Sequence, residues 1–166
     1  MNNVNNIILI GMPGCGKTSI GKALAKKMNR EFADSDEQII KIAGKTIPEI
    51  FSEDGEDIFR RLETDVLNNL CNQNGLVIAT GGGVVTKSEN KDIIKQNGII
   101  VFLDRDLSQL PISGRPLSEK KGINALAEVR LPLYSSWSDY TVTVCGIEQT
   151  AEFIYCKLCA SLSKTK

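Results

Sequence analysis

Histidine is absent from this chain of 166 residues. That excludes Ser–His and Cys–His nucleophilic pairs, the HExxH zinc site and every histidine general base. Proton transfer must fall to Asp, Glu, Lys, Tyr or Cys. Excess charge is absent as well: 20 Lys and Arg balance 20 Asp and Glu. No chain-wide basic field exists to hold nucleic acid or an anionic membrane. Long apolar runs are missing. The first is Ile7 to Ile10, preceded by Asn and by no basic residue, too short for a signal sequence or a membrane span. A disulfide framework is missing too, since the five cysteines (Cys15, Cys71, Cys145, Cys156, Cys159) are odd in number. Cys156 and Cys159 have CxxC spacing, but no second pair and no His completes a zinc site. They read as two thiols on one turn of a C-terminal helix, and the expected compartment is the reducing cytoplasm.

The length fits one domain at about 100–200 residues per domain. Apolar residues at 42% and charged residues at 24% are ordinary globular usage, which excludes disorder, collagen and coiled coil as the main class. Ile7 to Ile10 and Ile99 to Leu103 read as buried parallel strands. Shorter strands are expected at Phe32–Asp34, Leu76–Ala79 and Thr141–Val144. Helical patterns run from Lys17 to Met28, from Ser35 or Asp36 to Gly44, from Thr46 through Pro48, and after Gly55. The last carries Phe59, Leu62, Val66 and Leu70 at spacings of 3, 4 and 4. Further helices are expected over Ser88–Gln96, Asn124–Trp137 and Thr150–Leu162. Residues 104–122 read as a long polar loop. Alternating strands and helices make this an α/β fold with a parallel sheet covered on both faces. In such sheets chemistry gathers beyond the carboxyl ends of the strands.

The first strand ends in GMPGCGKT, Gly11 to Thr18, which fits GxxxxGK[ST] between a strand and a helix. Glycines let the chain wrap phosphate oxygens with inward N–H groups, Lys17 supplies a cation, and the Thr18 hydroxyl can meet Mg²⁺. The second strand ends in Asp34-Ser35-Asp36. On an extended chain both carboxylates would share a side, one for Mg²⁺ and one to accept a substrate proton; alternatively both cap the next helix. The third strand ends in Thr and Gly, without a Walker B carboxylate, which leaves Asp34 as the metal partner. Arg60, Arg61 and Glu63 share the long helix with Glu56 and Asp57. Surface salt bridges would explain them equally well. Gly81-Gly82-Gly83 can form an N–H nest, or a linker. Arg115 and Arg130 follow in the polar loop and the next helix. Cys15, inside the phosphate loop, is either a thiolate favoured by the helix dipole and Lys17, or a small buried thiol without reactivity.

Taken together, GMPGCGKT, DSD (34–36), FRRLE (59–63), GGG (81–83), GRPL (114–117) and RLPLY (130–134) resemble the shikimate kinase family, in order and over essentially the whole chain. The resemblance implies a P-loop kinase fold of the nucleoside monophosphate kinase type, with a five-stranded parallel sheet and a mobile lid. It implies one domain, with a substrate-binding helical region at about 35–72 and a lid at about 106–121. The implied activity is transfer of the ATP γ-phosphoryl group to the 3-hydroxyl of shikimate, on the route to chorismate and aromatic amino acids. Gly14, Cys15, Gly16, Lys17, Thr18 and Ser19 would bind ATP, with Thr18 and Asp34 on Mg²⁺. Asp36 would contact the shikimate hydroxyls and act as base. Arg60 and Arg130 would bind the carboxylate, with the amides of Gly81, Gly82 and Gly83, and Glu63 in support. Arg115 would be the lid arginine over the phosphates. Lys17, Asp36 and Arg115 are thus the catalytic set. The expected partners are ATP and shikimate, with no nucleic acid or membrane, and the expected state is a monomer. Two departures stand out: no second arginine lies between Asp106 and Gly114, and residues 145–149 are not the usual adenine loop. A gluconate or nucleotide kinase of the same fold is a rival reading. A silent binding protein is another, but it would have Lys17, Asp34, Asp36 or Arg115 replaced, and all four are intact.

Overall fold

Strand β1 (Asn6–Ile10) is buried along its whole length, as a strand covered on both faces must be. The computed structural model describes residues 5–111 and 122–162. After β1 come α1 (Lys17–Met28), β2 (Phe32–Asp34), α2 (Ser35–Ala43), the short α3 (Ile47–Glu49) and α4 (Glu56–Cys71). Then follow β3 (Val77–Ala79), α5 (Glu89–Gln96), β4 (Gly98–Asp104), α6 (Ile123–Trp137), β5 (Tyr140–Thr143) and α7 (Ile147–Leu162). A five-residue π-helical stretch, Ile50–Asp54, joins α3 to α4.

The five strands are parallel, in the order β2-β3-β1-β4-β5. Helix α1 packs on α7, and α4 packs on α2 and α5. Every strand and helix read from the sequence is present among the described residues, with ends shifted by a few residues. Local chemistry accounts for two of the shifts. Asp34, rather than Ser35 or Asp36, caps α2. Helix α7 starts at Ile147 instead of Thr150, because the Thr150 hydroxyl accepts the Cys145 N–H at 3.2 Å and holds the first turn. Thr46 starts α3 with a capping box, its backbone N–H donating to Glu49 at 2.7 Å. Pro132 is carried inside α6.

Topology carries the consequence for function. Strand β3 lies between β1 and β2, so the Asp34 end of β2 is two strands from the phosphate loop. Helix α1 closes that distance. It lies tight on the sheet because Gly21 faces inward. A Cβ there would meet the Phe32 ring at 2.6 Å and Leu9 at 3.2 Å.

Cys15 is fully buried. Its sulfur lies under the loop, 3.0 Å from where a Gly11 Cβ would stand. Of the two readings left open for this thiol, the structure supports the packed one. Cys156 and Cys159 are exposed on α7. Among the described residues, no helix is long and apolar enough to cross a membrane.

Two outcomes follow. Gly21→Val overpacks the α1–sheet contact, which costs about 1–3 kcal/mol. The denaturant midpoint should fall and the KM for ATP should rise; an unchanged midpoint would show that α1 does not depend on this contact. In the native protein, a bulky alkylating reagent should modify Cys145, Cys156 or Cys159 well before Cys15, as read by mass spectrometry of peptides.

Candidate active site

Residues 11–18 form a loop whose shape needs glycine: Gly14 has φ 79° and Gly16, which begins α1, has φ 107°. A side chain would be strained in that left-handed region. The Lys17 ammonium donates to the carbonyls of Gly11 at 2.8 Å and Met12 at 2.9 Å. It is buried, so the cation is fixed across the loop and does not sweep through solvent. Loop amides, the N-terminus of α1 and this ammonium make an anion site. The Cys15 sulfur lies 3.8 Å from the same ammonium, and the Cys15 N–H turns back to Met12 O at 3.2 Å.

Asp34 caps α2 and at the same time meets the phosphate-loop threonine. Its Oδ1 accepts N–H bonds from Asp36 at 2.9 Å and Glu37 at 3.4 Å, capping α2. Its Oδ2 accepts the Thr18 hydroxyl at 2.6 Å. The carboxylate is therefore locked beside the phosphate loop. Asp36 lies in the first turn of α2, not on an extended chain, so strand alternation is not what aims it. The helix turn is. Burial, with Asp34 and Glu63 nearby, pushes its carboxyl up to about 7, while Lys17 and Arg60 pull the other way.

Helix α4 turns Phe59, Arg60 and Glu63 inward, while Arg61 faces solvent. Arg60 Nη1 donates to Glu63 at 2.6 Å and Nη2 reaches Glu56 at 3.4 Å. The salt bridge expected on the surface exists, but Arg60 is 6% exposed and Glu63 1%. Burial raises the pKa of the Glu63 carboxyl, against the opposing pull of Arg60. Burial lowers that of Arg130, which also feels Arg60. Two buried guanidinium groups near one another call for an anion between them.

The Gly81–Gly83 turn is packed, not a linker. A Cβ at Gly81 would stand 2.7 Å from Glu63 Oε1 and 2.8 Å from Asp36 Oδ1. One at Gly82 would meet Pro13 at 2.6 Å, and one at Gly83 would collide with the Arg60 guanidinium. Among the described residues, Asp36 Oδ1, Glu63 Oε1, Arg60 Nε and Arg105 Nε are buried without a hydrogen-bond partner. Such orphans cost free energy unless a ligand satisfies them. Three of the four converge on this one turn.

The loop, the two aspartates, Arg60, Glu63, the glycine turn and Arg130 line one cavity of about 640 Å³. Ser19 lines it as well. Arg115, and most of the segment expected to be a lid, lie outside the described residues. The cavity adds residues that the sequence reading missed. Phe51 and Phe59, with ring centroids 4.7 Å apart, and Ile47 form an apolar wall. Arg105 enters from the end of β4. The rule that strand ends carry chemistry could have flagged Arg105, whereas Phe51 has no local signal. No described group of three or more Cys, Asp or Glu could by itself hold a metal ion. Thr18 and Asp34 fit a metal that takes its remaining oxygens from phosphate and water.

Comparison with known proteins turns this chemistry into a family. A family model described as "Shikimate kinase" matches residues 13–158. A curated shikimate kinase from Burkholderia lata is 40% identical over 146 residues, 82% of this chain and 79% of that protein. A solved shikimate kinase from Acinetobacter baumannii, in complex with shikimate, matches with TM-score 0.90 and 37% identity, over 95% of this chain and 94% of that one. A gluconokinase from Sinorhizobium meliloti 1021 covers 100% of this chain and 99% of its own, but at TM-score 0.54 and 17% identity it shares the fold alone. Matched along most of its length by the model and by such relatives, the chain belongs to the shikimate kinase family.

Proposed function

We propose that this chain transfers the γ-phosphoryl group of ATP to the 3-hydroxyl of shikimate, with Asp36 as the general base. The observation that carries the reading is the convergence, at Gly81–Gly83, of unpartnered Asp36, Glu63 and Arg60 atoms in the cavity that also holds the phosphate-loop lysine. Shikimate offers one carboxylate and three hydroxyls to that set. Arg60 and Arg130 receive the carboxylate as guanidinium forks, beside the glycine-turn amides. Glu63 fixes Arg60. The Phe51–Phe59 wall excludes water from the apolar ring face.

Asp36 takes the proton of the 3-hydroxyl as its oxygen bonds to the γ-phosphorus. The bond from that phosphorus to the bridging oxygen breaks, and ADP leaves. Lys17, the loop amides and the α1 N-terminus receive the phosphate charge. Thr18 and Asp34 would hold Mg²⁺, which neutralises phosphate charge when bound. Arg115 would add a cation from a lid over 106–121, and 35–72 forms the acceptor side. The reading also takes the chain to work as a monomer in the cytoplasm. ADP release in a coupled assay should depend on shikimate; release unaffected by shikimate but stimulated by gluconate or a nucleoside monophosphate would replace the acceptor.

A base poised near 7 must be ionised to work, so kcat/KM for shikimate should climb through about pH 7. Asp36→Asn should remove that limb and lower kcat by about a hundredfold or more. A buried carboxyl with a raised pKa favours the folded state when protonated, below its unfolded value near 3.8, and loses that contribution as pH rises through about 7. The Tm of Asp36→Asn without ligand should therefore exceed the parent's at pH 8, and the gain should vanish toward pH 4. An unchanged pH–rate profile would assign the base elsewhere.

Arg60→Ala and Arg130→Ala should each raise the KM for shikimate about tenfold to a hundredfold, the worth of a charged hydrogen bond, with little change for ATP. Arg60→Ala also strands the buried Glu63, so its Tm should fall further than that of Arg130→Ala. A rise confined to the KM for ATP would move that arginine out of the carboxylate site.

A further inference from the structure

Tyr134 lies on α6 one helical turn beyond Arg130, so the two side chains share a face. It is the largest fully buried side chain among the described residues. Its ring stacks on Phe102 of β4, centroids 5.2 Å apart. Its hydroxyl donates to the carbonyl of Gly82, and the Arg130 side chain, four residues earlier on the same face, is close enough to interact with it. One phenol therefore touches both halves of the site assigned to the substrate carboxylate, the glycine turn and an arginine. The hydroxyl has one proton, and the Gly82 carbonyl takes it. Its lone pairs are left for an N–H of Arg130. An N–H given to that oxygen would orient the guanidinium and leave its other N–H groups for the cavity that Arg130 lines. Burial raises the phenol pKa, so the proton needed for Gly82 stays in place.

We propose that Tyr134 is a positioning residue for acceptor binding: its hydroxyl ties Arg130 to the Gly81–Gly83 turn, so that guanidinium and backbone amides meet one carboxylate together. The proposal rests on the carboxylate reading of Arg130 given above. A side chain that must be ordered on binding holds an anion less well than one already aligned. The phenol's hydrogen bond goes to the glycine turn, so the larger effect is expected on shikimate.

Tyr134→Phe removes one oxygen and keeps the ring on Phe102. The KM for shikimate should rise about tenfold, as for loss of a hydrogen bond to a charged group, with kcat and the KM for ATP within about twofold of the parent. In an Arg130→Ala background the same change should have a much smaller effect, because the group it positions is gone. Phe102→Leu, which loosens the stack and spares the hydroxyl, should lower Tm without raising the KM for shikimate. An unchanged shikimate KM in Tyr134→Phe overturns the proposal, as does an equal penalty with and without Arg130, or an equal rise in Phe102→Leu. If Arg130→Ala itself leaves the KM for shikimate unchanged, the carboxylate reading fails first and the proposal falls with it.

Discussion

The acceptor half of the site depends on the absence of three side chains. Gly81, Gly82 and Gly83 leave a surface of bare backbone against which Asp36, Glu63, Pro13 and Arg60 all press. A single methyl group at any of the three would displace a charged group or the phosphate loop. At Gly81 and Gly83 the displaced atoms carry charge, so a shift would also uncouple Arg60 from Glu63. The turn brings the nucleotide loop and the acceptor helix into one cavity, because Pro13 lies on its middle residue and Arg60 on its last. The spacing between phosphate and hydroxyl is thus set by packing around glycine. No flexible segment has to supply it.

Around that turn the protein concentrates charge that it does not fully neutralise. Arg60 is paired to Glu63 through one nitrogen, while its Nε and the second Glu63 oxygen remain orphaned. A fully satisfied network would be more stable and would bind less. The raised carboxyl of Asp36 follows from the same crowding: burial and two acidic neighbours outweigh Lys17 and Arg60. The burial and crowding that raise the Asp36 carboxyl suit it to the proposed role of base near neutral pH. A chain with no histidine reaches a pKa near 7 by placing one aspartate badly for stability.

The parts legible in the sequence are those whose geometry is local. The phosphate loop is one continuous segment, and its spacing alone fixed Lys17 and Thr18. The strands and helices followed from periodicity because each buries one continuous run or one stripe. The DSD pair was found, but for an incomplete reason: Asp36 is aimed by a helix turn, and Asp34 is at once cap and partner of Thr18. Arg60 and Glu63 could be read as a surface pair because burial is set by α2, α5 and the glycine turn, which lie far away in sequence. Phe51 and Arg105 escaped notice because the cavity they line is assembled from separate segments, and Tyr134, though part of the RLPLY motif, acquires a role only from Gly82 far away in sequence. Cys15 could be read two ways until the fold showed its thiol fully buried.

This division between local and distant parts bears on how one fold serves different acceptors. The nucleotide half is encoded in eight consecutive residues, which a kinase with this fold can keep while all else drifts. The acceptor half draws on α2, α3, α4, the 81–83 turn and α6, and its members are fixed by one another. Replacing one of them leaves a buried charge or a filled cradle, so the acceptor site changes as a set or hardly at all. A gluconokinase can thus share the fold at 17% identity. Two buried guanidinium groups on one cavity suit a carboxylate-bearing acceptor. In this chain Arg60, held by Glu63, lies against Gly83, and the buried Arg130 lines the same cavity.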